Sequence, residues 1–180
     1  MNGWFHVFWH ALTLDSTFYA QAPQQPKMKR KAHVFVGIAA LSHAVGSSMI
    51  LLTYQTSLVL QGLAFVVNAL SIVGGYYLWT FTIEKVADWL HVQIPSYKPF
   101  LILIGLTYAP QVFNIFTVVP LLGRPIEVGL ALWSLVAAIA ALHYGLKLKL
   151  TQAIAISTLG WVAVQIAVGT LQLVVQAFLD

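Results

Sequence analysis

The chain has 180 residues, of which 59% are hydrophobic and only 8% are charged, and it contains no cysteine. Soluble domains carry about 25% charged residues, so this composition excludes an ordinary soluble domain and predicts an all-α polytopic protein in a bilayer. The lack of cysteine excludes disulfides, thiolate metal sites and a cysteine nucleophile. The net charge of +4 lies mostly in one cluster, which indicates membrane topology and lipid contact rather than nucleic-acid binding.

The first segment, residues 1–14, is rich in aromatic side chains but too short to span a bilayer. A helical projection places His6 and His10 on a polar stripe that we expect to face water, because two ligands alone make a poor metal site. The pattern predicts an amphipathic helix in the membrane interface, where tryptophan is favoured, and no cleavable signal peptide. Its expected lipid-facing residues are Trp4, Phe5, Phe8 and Trp9.

A basic cluster directly precedes the first apolar stretch. We expect it to hold that end of the chain in the cytoplasm and to contact anionic lipid. We therefore divide the chain into a cytoplasmic amphipathic helix with a basic linker, residues 1–31, and a transmembrane domain, residues 32–180. The cluster consists of Lys27, Lys29, Arg30 and Lys31.

Hydropathy predicts five spans, since a span needs about 20 apolar residues. Residues 84–98 are interpreted as an amphipathic hinge, whose Glu84, Asp88 and His91 form a solvated face in preference to a metal site. Eight of the nine Lys and Arg residues fall on one side of this arrangement. That bias predicts a cytoplasmic amino terminus and an external or lumenal carboxyl terminus. We expect the membrane to be a bacterial inner or thylakoid membrane. The predicted spans are 32–54, 58–83, 101–123, 126–146 and 151–178.

The third predicted span is interrupted in its middle by polar and helix-breaking residues. Proline removes a backbone donor and frees a carbonyl one turn earlier, so the helix must kink or find another partner. The polar side chains are costly against lipid and should face other helices or a water-filled pocket. We predict an interior site for a partner or ligand, formed by Gly105, Tyr108, Pro110, Gln111 and Asn114.

His43 is the strongest ionisable candidate deep in a span. Small residues nearby resemble the setting of axial ligands in pigment-binding helices, so His43 is a possible ligand of chlorophyll or haem. We favour a buried neutral histidine that bonds a neighbouring helix. A haem shared with His143 is disfavoured, because the two residues lie about 15 Å and about 5 Å deep at the helical rise.

The order of these features resembles the YIP family, five-span membrane proteins whose eukaryotic members interact with Rab GTPases. Gly105, Tyr108 and Pro110 resemble the Gly-Tyr…Pro motif of the third span in that family. The turn 120–123 and Trp133 are similar to features of bacterial members. Residues 14–19 lie where eukaryotic members carry Asp-Leu-Tyr-Gly-Pro, but here the Gly-Pro part is missing.

Three functions remain as hypotheses, and none is enzymatic, because neither a phosphate-binding loop nor a Ser–His–Asp set is evident. The resemblance implies a non-catalytic membrane-organising or adaptor protein without a cofactor, which binds lipids or other membrane proteins and forms homo- or hetero-oligomers. The second hypothesis is a small subunit of a larger membrane complex that binds chlorophyll or haem through His43. The third is a lipid or small-solute carrier that uses the broken third span.

Overall fold

The structure, a computed structural model, describes residues 3–53, 57–92, 97–119 and 121–179, with the side chains of 50–53 and 171–179 left out. These residues form seven α-helices and two 3₁₀ helices and contain no strand. The 3₁₀ helices are Ala22–Gln24 and Pro110–Val118. The α-helices are α1 (Trp4–Leu12), α2 (Ser16–Gln21), α3 (Met28–Thr53), α4 (Leu58–Trp89), α5 (Tyr97–Leu106), α6 (Gly123–Gly145) and α7 (Leu150–Leu179).

Within the described ranges, four helical segments are long and apolar enough to cross a membrane. The chain is therefore an all-helical, multi-pass membrane protein. The predicted third span is instead a pair of helices, α5 and Pro110–Val118, which meet at a bend of 41°. The four candidate spans are Met28–Met49, Leu58–Trp89, Gly123–Gly145 and Leu150–Thr170.

The prediction of a hinge at 84–98 is wrong for residues 84–89, because α4 continues to Trp89. Neither glycine nor proline interrupts residues 84–89, so the helical hydrogen bonds persist until the backbone turns to a positive φ of 54° at His91. Lys85 and Asp88 form an exposed ion pair of 3.8 Å at this end of α4. Three or more metal-binding side chains do not come together anywhere in the described parts of the chain.

Some predicted boundaries lie outside the described residues. These are the end of the first span at residue 54, residues 93–96 of the hinge and Pro120 of the turn before α6.

Small residues bring the helices of the bundle close together. A Cβ atom added at Gly105 of α5 would lie 2.8 Å from the Cβ atom of Ala32 in α3. Without a hydrophobic driving force between helices in lipid, such close packing is a main source of helix association. One buried cluster joins α3, α4, α5, α6 and α7, with Tyr76, Trp79 and Leu142 among its large side chains.

The amino-terminal helices pack against the bundle and form a second buried cluster with α3, α5 and α6. Val7 and Ala11 of α1 are completely buried. The indole Nε1 of Trp133 in α6 donates to the carbonyl of Leu12 at 3.1 Å. The Tyr19 hydroxyl donates to the carbonyl of Ala11 at 3.0 Å. The amino-terminal segment is therefore anchored to the bundle.

Asp15 caps the start of α2. Its carboxylate accepts the Thr17 hydroxyl at 2.6 Å and the Phe18 N–H at 2.9 Å. These two hydrogen bonds hold the pKa of the Asp15 carboxyl well below its usual range. Asp15 also lies 2.8 Å from the Nδ1 atom of His10, so it ties α1 to α2.

The four residues that were predicted to face lipid do not share one environment in the structure. Trp4, Phe5 and Trp9 are exposed, whereas Phe8 packs between the rings of Phe35 and Phe113, each with its centroid 5.9 Å away. Of the basic cluster, Lys27, Lys29 and Arg30 are exposed. Lys31 is buried, and its Nζ atom lies 5.7 Å from the Trp4 ring centroid, within the range of a cation–π contact. Phe8 and Lys31 therefore do not belong to the exposed face.

Candidate functional site

The break in the third span begins at Pro110, which has no N–H to donate to the carbonyl one turn earlier. The chain adapts just before it. The Thr107 N–H is shared between the carbonyls of Leu103 and Ile104 at 3.2 and 3.1 Å. The Thr107 hydroxyl also donates to the Ile104 carbonyl at 2.8 Å. From Pro110 onwards the backbone continues as a 3₁₀ helix.

Ser42 of α3 supports the broken backbone from the side. Its hydroxyl donates to the carbonyl of Val112 at 2.6 Å and accepts the N–H of Ile115 at 2.7 Å. One turn along α3, Gly46 allows close approach, since a side chain there would clash with Asn114 and Thr117. The sequence analysis did not single out Ser42, although a small polar residue beside His43 in an apolar helix was a signal for it.

The predicted polar residues of the break form a network that reaches α6. The side-chain amide of Asn114, which is completely buried, donates to the Gln111 side chain. Gln111 in turn donates to the Ser134 hydroxyl of α6 at 3.2 Å. The network gives the amide nitrogens of Asn114 and Gln111 an acceptor each, whereas the Oδ1 atom of Asn114 is buried without a hydrogen-bond partner among the described residues.

A cavity of about 130 Å³ lies beside this network, between α3, α4, α6 and α7. Its volume equals that of about four water molecules, at roughly 30 Å³ each in the liquid. The wall combines aromatic and polar side chains. Its aromatic members are Trp79, Tyr108 and Trp161, and its polar members are His43, Ser71, Gln111, Glu127, Ser134 and Gln165.

Two residues of the cavity wall each carry a buried, unpaired polar atom. The Nε1 atom of Trp79 and the Nδ1 atom of His43 have no hydrogen-bond partner among the described residues. An indole N–H can only donate, so Trp79 requires an acceptor from outside the described chain. Leaving a buried polar group unpaired costs about 1–3 kcal/mol. Both atoms are almost fully enclosed by protein, however, and the Nε1 atom of Trp79 lies beside Gly160 of α7 rather than at the free space of the cavity.

The electrostatics of the cavity are simple. Glu127, near the start of α6, is its one carboxylate among the described residues, and its Oε2 atom lies 2.9 Å from Nη1 of Arg124. Arg124 itself does not belong to the wall, and neither arginine nor lysine occurs in that described lining. Because arginine and lysine are the usual phosphate-binding side chains, this cavity does not suit a phosphate.

The structure brings part of the predicted site together. Tyr108 and Gln111 line the cavity, and His43 joins them from α3. Gly105 faces Ala32 instead, and Pro110 and Asn114 are buried next to the cavity without belonging to its wall. Sequence reasoning missed the contributions of the other helices, which are Ser71, Trp79, Glu127, Ser134, Trp161 and Gln165.

The cavity beside His43 is smaller than the pockets that hold drug-sized ligands. Drug-sized ligands occupy pockets of about 300–1,000 Å³, and the space here is about 130 Å³. His143, the other histidine considered for a haem, bonds with its Nδ1 atom to the carbonyl of Leu148 at 2.7 Å. The geometry therefore favours a small ligand at His43 over chlorophyll or haem inside the cavity.

No family model, curated protein or solved structure matches this chain.

Proposed function

We propose that this chain is a non-catalytic, multi-pass membrane protein of the YIP type that holds a small uncharged ligand in the cavity at its broken third span. This corresponds to the third functional hypothesis, a carrier of a lipid or small solute that uses the broken third span. The observation that carries the proposal is the cavity beside the break, whose wall combines Tyr108 and Gln111 with polar side chains of the neighbouring helices. Interrupted helices often form binding sites within membranes.

Binding fits the polar groups of the cavity better than catalysis does. A catalytic base is usually within reach of a nucleophile and is oriented by a third group. The Nδ1 atom of His43 has no such orienting partner in the described chain, and the Glu127 carboxylate is held by Arg124. Both side chains are therefore better suited to contact a ligand than to move a proton.

The proposed ligand is uncharged because of where the cavity lies. Charged groups inside a bilayer are expensive unless they are paired. The one carboxylate of the described wall, Glu127, already has Arg124 as its partner, and the other polar members of the wall are neutral amides, hydroxyls and indoles or a histidine. Such a set recognises a molecule by hydrogen bonds.

The proposed topology counts α5 and Pro110–Val118 together as one span, which gives five. With the basic residues of the loops on the cytoplasmic side, the amino terminus is cytoplasmic and the carboxyl terminus is external or lumenal. Glu127 lies in the first two turns of α6. The cavity then reaches from the middle of the membrane towards its non-cytoplasmic half.

An adaptor or membrane-organising role is a second candidate, favoured by the exposed side of α1. Phe5 is 76% exposed, and Trp4 and Trp9 are about half-exposed. Aromatic rings of this kind partition into membrane interfaces, and the exposed Lys29 and Arg30 would contact anionic lipid. This surface is separate from the cavity, so both roles are compatible in one molecule.

Cysteine labelling tests the proposed binding site, because the chain contains no native cysteine. Ser71→Cys places a thiol on the cavity wall, and Ser157→Cys places one at a completely buried position outside that wall. In proteoliposomes, a small neutral methanethiosulfonate reagent should modify Ser71→Cys at least tenfold faster than Ser157→Cys. Equal rates would show that the cavity does not admit small molecules.

Glycerol, a small uncharged hydrogen-bonding probe, then tests for occupancy. At molar concentration it should slow modification of Ser71→Cys at least threefold. The exposed variant Ser16→Cys controls for viscosity and reagent effects, and its rate should stay unchanged. A uniform slowing of both variants would contradict the proposal.

A further inference from the structure

An open depression lies on the surface at the amino-terminal end of α3. It has a volume of about 520 Å³ and is lined by Pro26, Lys29, Arg30, His33 and Val34. These positions recur at the spacing of one helical face, so a single side of the start of α3 forms the wall. Pockets for drug-sized ligands measure about 300–1,000 Å³, so the depression has room for the head group of a lipid.

The depression is positively charged. Lys29 and Arg30 are exposed, and neither forms an ion pair with another residue that the structure describes. The described wall contains neither aspartate nor glutamate. Arginine and lysine are the usual phosphate-binding side chains, and the planar guanidinium group can donate two parallel hydrogen bonds to one phosphate. The charge of the depression therefore complements a phosphate group.

His33 forms the side of the depression that borders α4. Its Nδ1 atom donates to the Lys29 carbonyl at 2.7 Å. Its ring contacts Tyr76 and Tyr77 of α4, with centroids 5.9 and 6.5 Å away. The Tyr77 side chain is partly exposed, and exposed tyrosines beside basic residues are typical of the head-group level of a membrane.

An exposed apolar strip continues the same face of α3 into the membrane. It begins at Val34 and proceeds through Gly37 and Ile38 to Leu41, which is 56% exposed. A Cβ atom added at Gly37 would meet nothing within 4 Å, so the space beside the helix is open there. From Arg30 to Leu41 the helix rises about 16 Å, which is close to half of the roughly 30 Å hydrocarbon core. The strip therefore matches the depth of one leaflet.

We infer that Lys29 and Arg30 bind the phosphate of one anionic phospholipid, whose acyl chain lies along Gly37 and Leu41 of α3. A free phosphate ion would use only the charge, whereas a phospholipid uses both the charge and the apolar strip that adjoins it. In the proposed topology this lipid belongs to the cytoplasmic leaflet. The site is separate from the cavity, so the inference goes beyond the proposed small-ligand function and depends only on α3 crossing the bilayer.

Native mass spectrometry of the full chain in mild detergent, titrated with phosphatidylglycerol, tests the charged part of the site. Lys29→Gln/Arg30→Gln removes two positive charges from the depression, and the control Lys147→Gln/Lys149→Gln removes two exposed charges elsewhere. The first double variant should weaken binding of the first lipid at least fivefold, and the second should leave it within twofold of wild type. Equal affinities for the two double variants would overturn the inference.

Competition identifies the occupant. Unlabelled phosphatidylglycerol should displace deuterated phosphatidylglycerol from the protein, whereas zwitterionic phosphatidylcholine should do so at least fivefold less well. Inorganic phosphate should not displace the lipid at tenfold excess. Equal displacement by phosphatidylcholine would overturn the requirement for an anionic lipid, and displacement by inorganic phosphate would show a site for a phosphate ion alone.

Photo-crosslinking locates the acyl chain. In proteoliposomes with phosphatidylglycerol that carries a diazirine in one acyl chain, the label should concentrate in residues 34–41 of α3. Residues 154–162 of α7 are the control, because this strip also follows two lysines and exposes Ile154, Leu159 and Val162. The label in α3 should exceed that in α7 at least threefold, and this excess should disappear in Lys29→Gln/Arg30→Gln. Equal labelling of the two strips in wild type would show unspecific contact with bulk lipid and would overturn the inference.

Discussion

The hydroxyl of Ser42 accepts the backbone N–H of Ile115 at 2.7 Å, although the two residues are 73 positions apart. The same oxygen donates to the Val112 carbonyl. One side chain of α3 thus bonds both a donor and an acceptor of the broken span. In lipid, such groups cannot rely on water as a partner.

Ser42→Ala should therefore destabilise the protein by about 1–3 kcal/mol, the cost of leaving buried polar groups unpaired. Thermal unfolding in detergent should show a lower Tm. Ser48→Ala is the matched control on the same helix, because the Ser48 hydroxyl has no partner among the described residues. A Tm drop of the same size in both variants would contradict the assigned role of Ser42.

Gly105→Ala should destabilise the contact between α5 and α3, because its Cβ atom would lie 2.8 Å from that of Ala32. Overpacking of this kind costs about 1–3 kcal/mol. Gly129→Ala in α6 is the comparison, since a Cβ atom there meets nothing within 4 Å. Thermal unfolding should therefore give a lower Tm for Gly105→Ala than for Gly129→Ala. An unchanged Tm for Gly105→Ala would show that the contact between α5 and α3 is loose.

The Asp15 cap should make stability depend on pH. Its pKa is lowered in the folded state by hydrogen bonds from Thr17 and Phe18, so its contribution is present above the unfolded value of about 3.9 and is lost as pH falls through the folded value. Asp15→Ala removes the cap, at a cost of about 0.5–2 kcal/mol at pH 7. The Tm difference between wild type and Asp15→Ala should narrow as the pH is lowered below 4, whereas a difference that is constant from pH 7 to pH 2 would exclude this linkage.

The purified protein should be colourless. The cavity beside His43 measures about 130 Å³, which is below the range of about 300–1,000 Å³ for pockets of drug-sized ligands. An absorption spectrum after purification in mild detergent should show no Soret band, with His43→Ala as the reference. A band present in wild type and absent from His43→Ala would establish a pigment site on His43.

The sequence predicted the helical membrane class and the break at Pro110, because both follow from local features: long apolar runs and a proline among polar residues. The cavity was harder to predict. Each of the neighbouring helices gives it only isolated polar residues, such as Ser71 from α4, Ser134 from α6 and Gln165 from α7. A single polar residue in an apolar helix has no periodicity that would indicate its partner.

The surroundings of Phe8 show another limit of sequence patterns in membrane proteins. Helical periodicity separates an apolar face from a polar one, but lipid tails and a protein core are both apolar. The projection therefore placed Phe8 with Phe5, whereas Phe8 packs on Phe35 and Phe113 and Phe5 stays exposed. Only the tertiary arrangement distinguishes the two environments.

The hydrogen bond from Trp133 to the Leu12 carbonyl has a consequence for biogenesis. Leu12 is synthesised 121 residues before the side chain that binds it. While α3 and α4 enter the membrane, α6 has not yet been synthesised. During this time α1 cannot dock against α6 and must remain at the surface of the bilayer. The aromatic residues Trp4, Phe5 and Trp9 favour a position of α1 at the membrane interface during this time. The segment that is synthesised first is therefore among the last to dock.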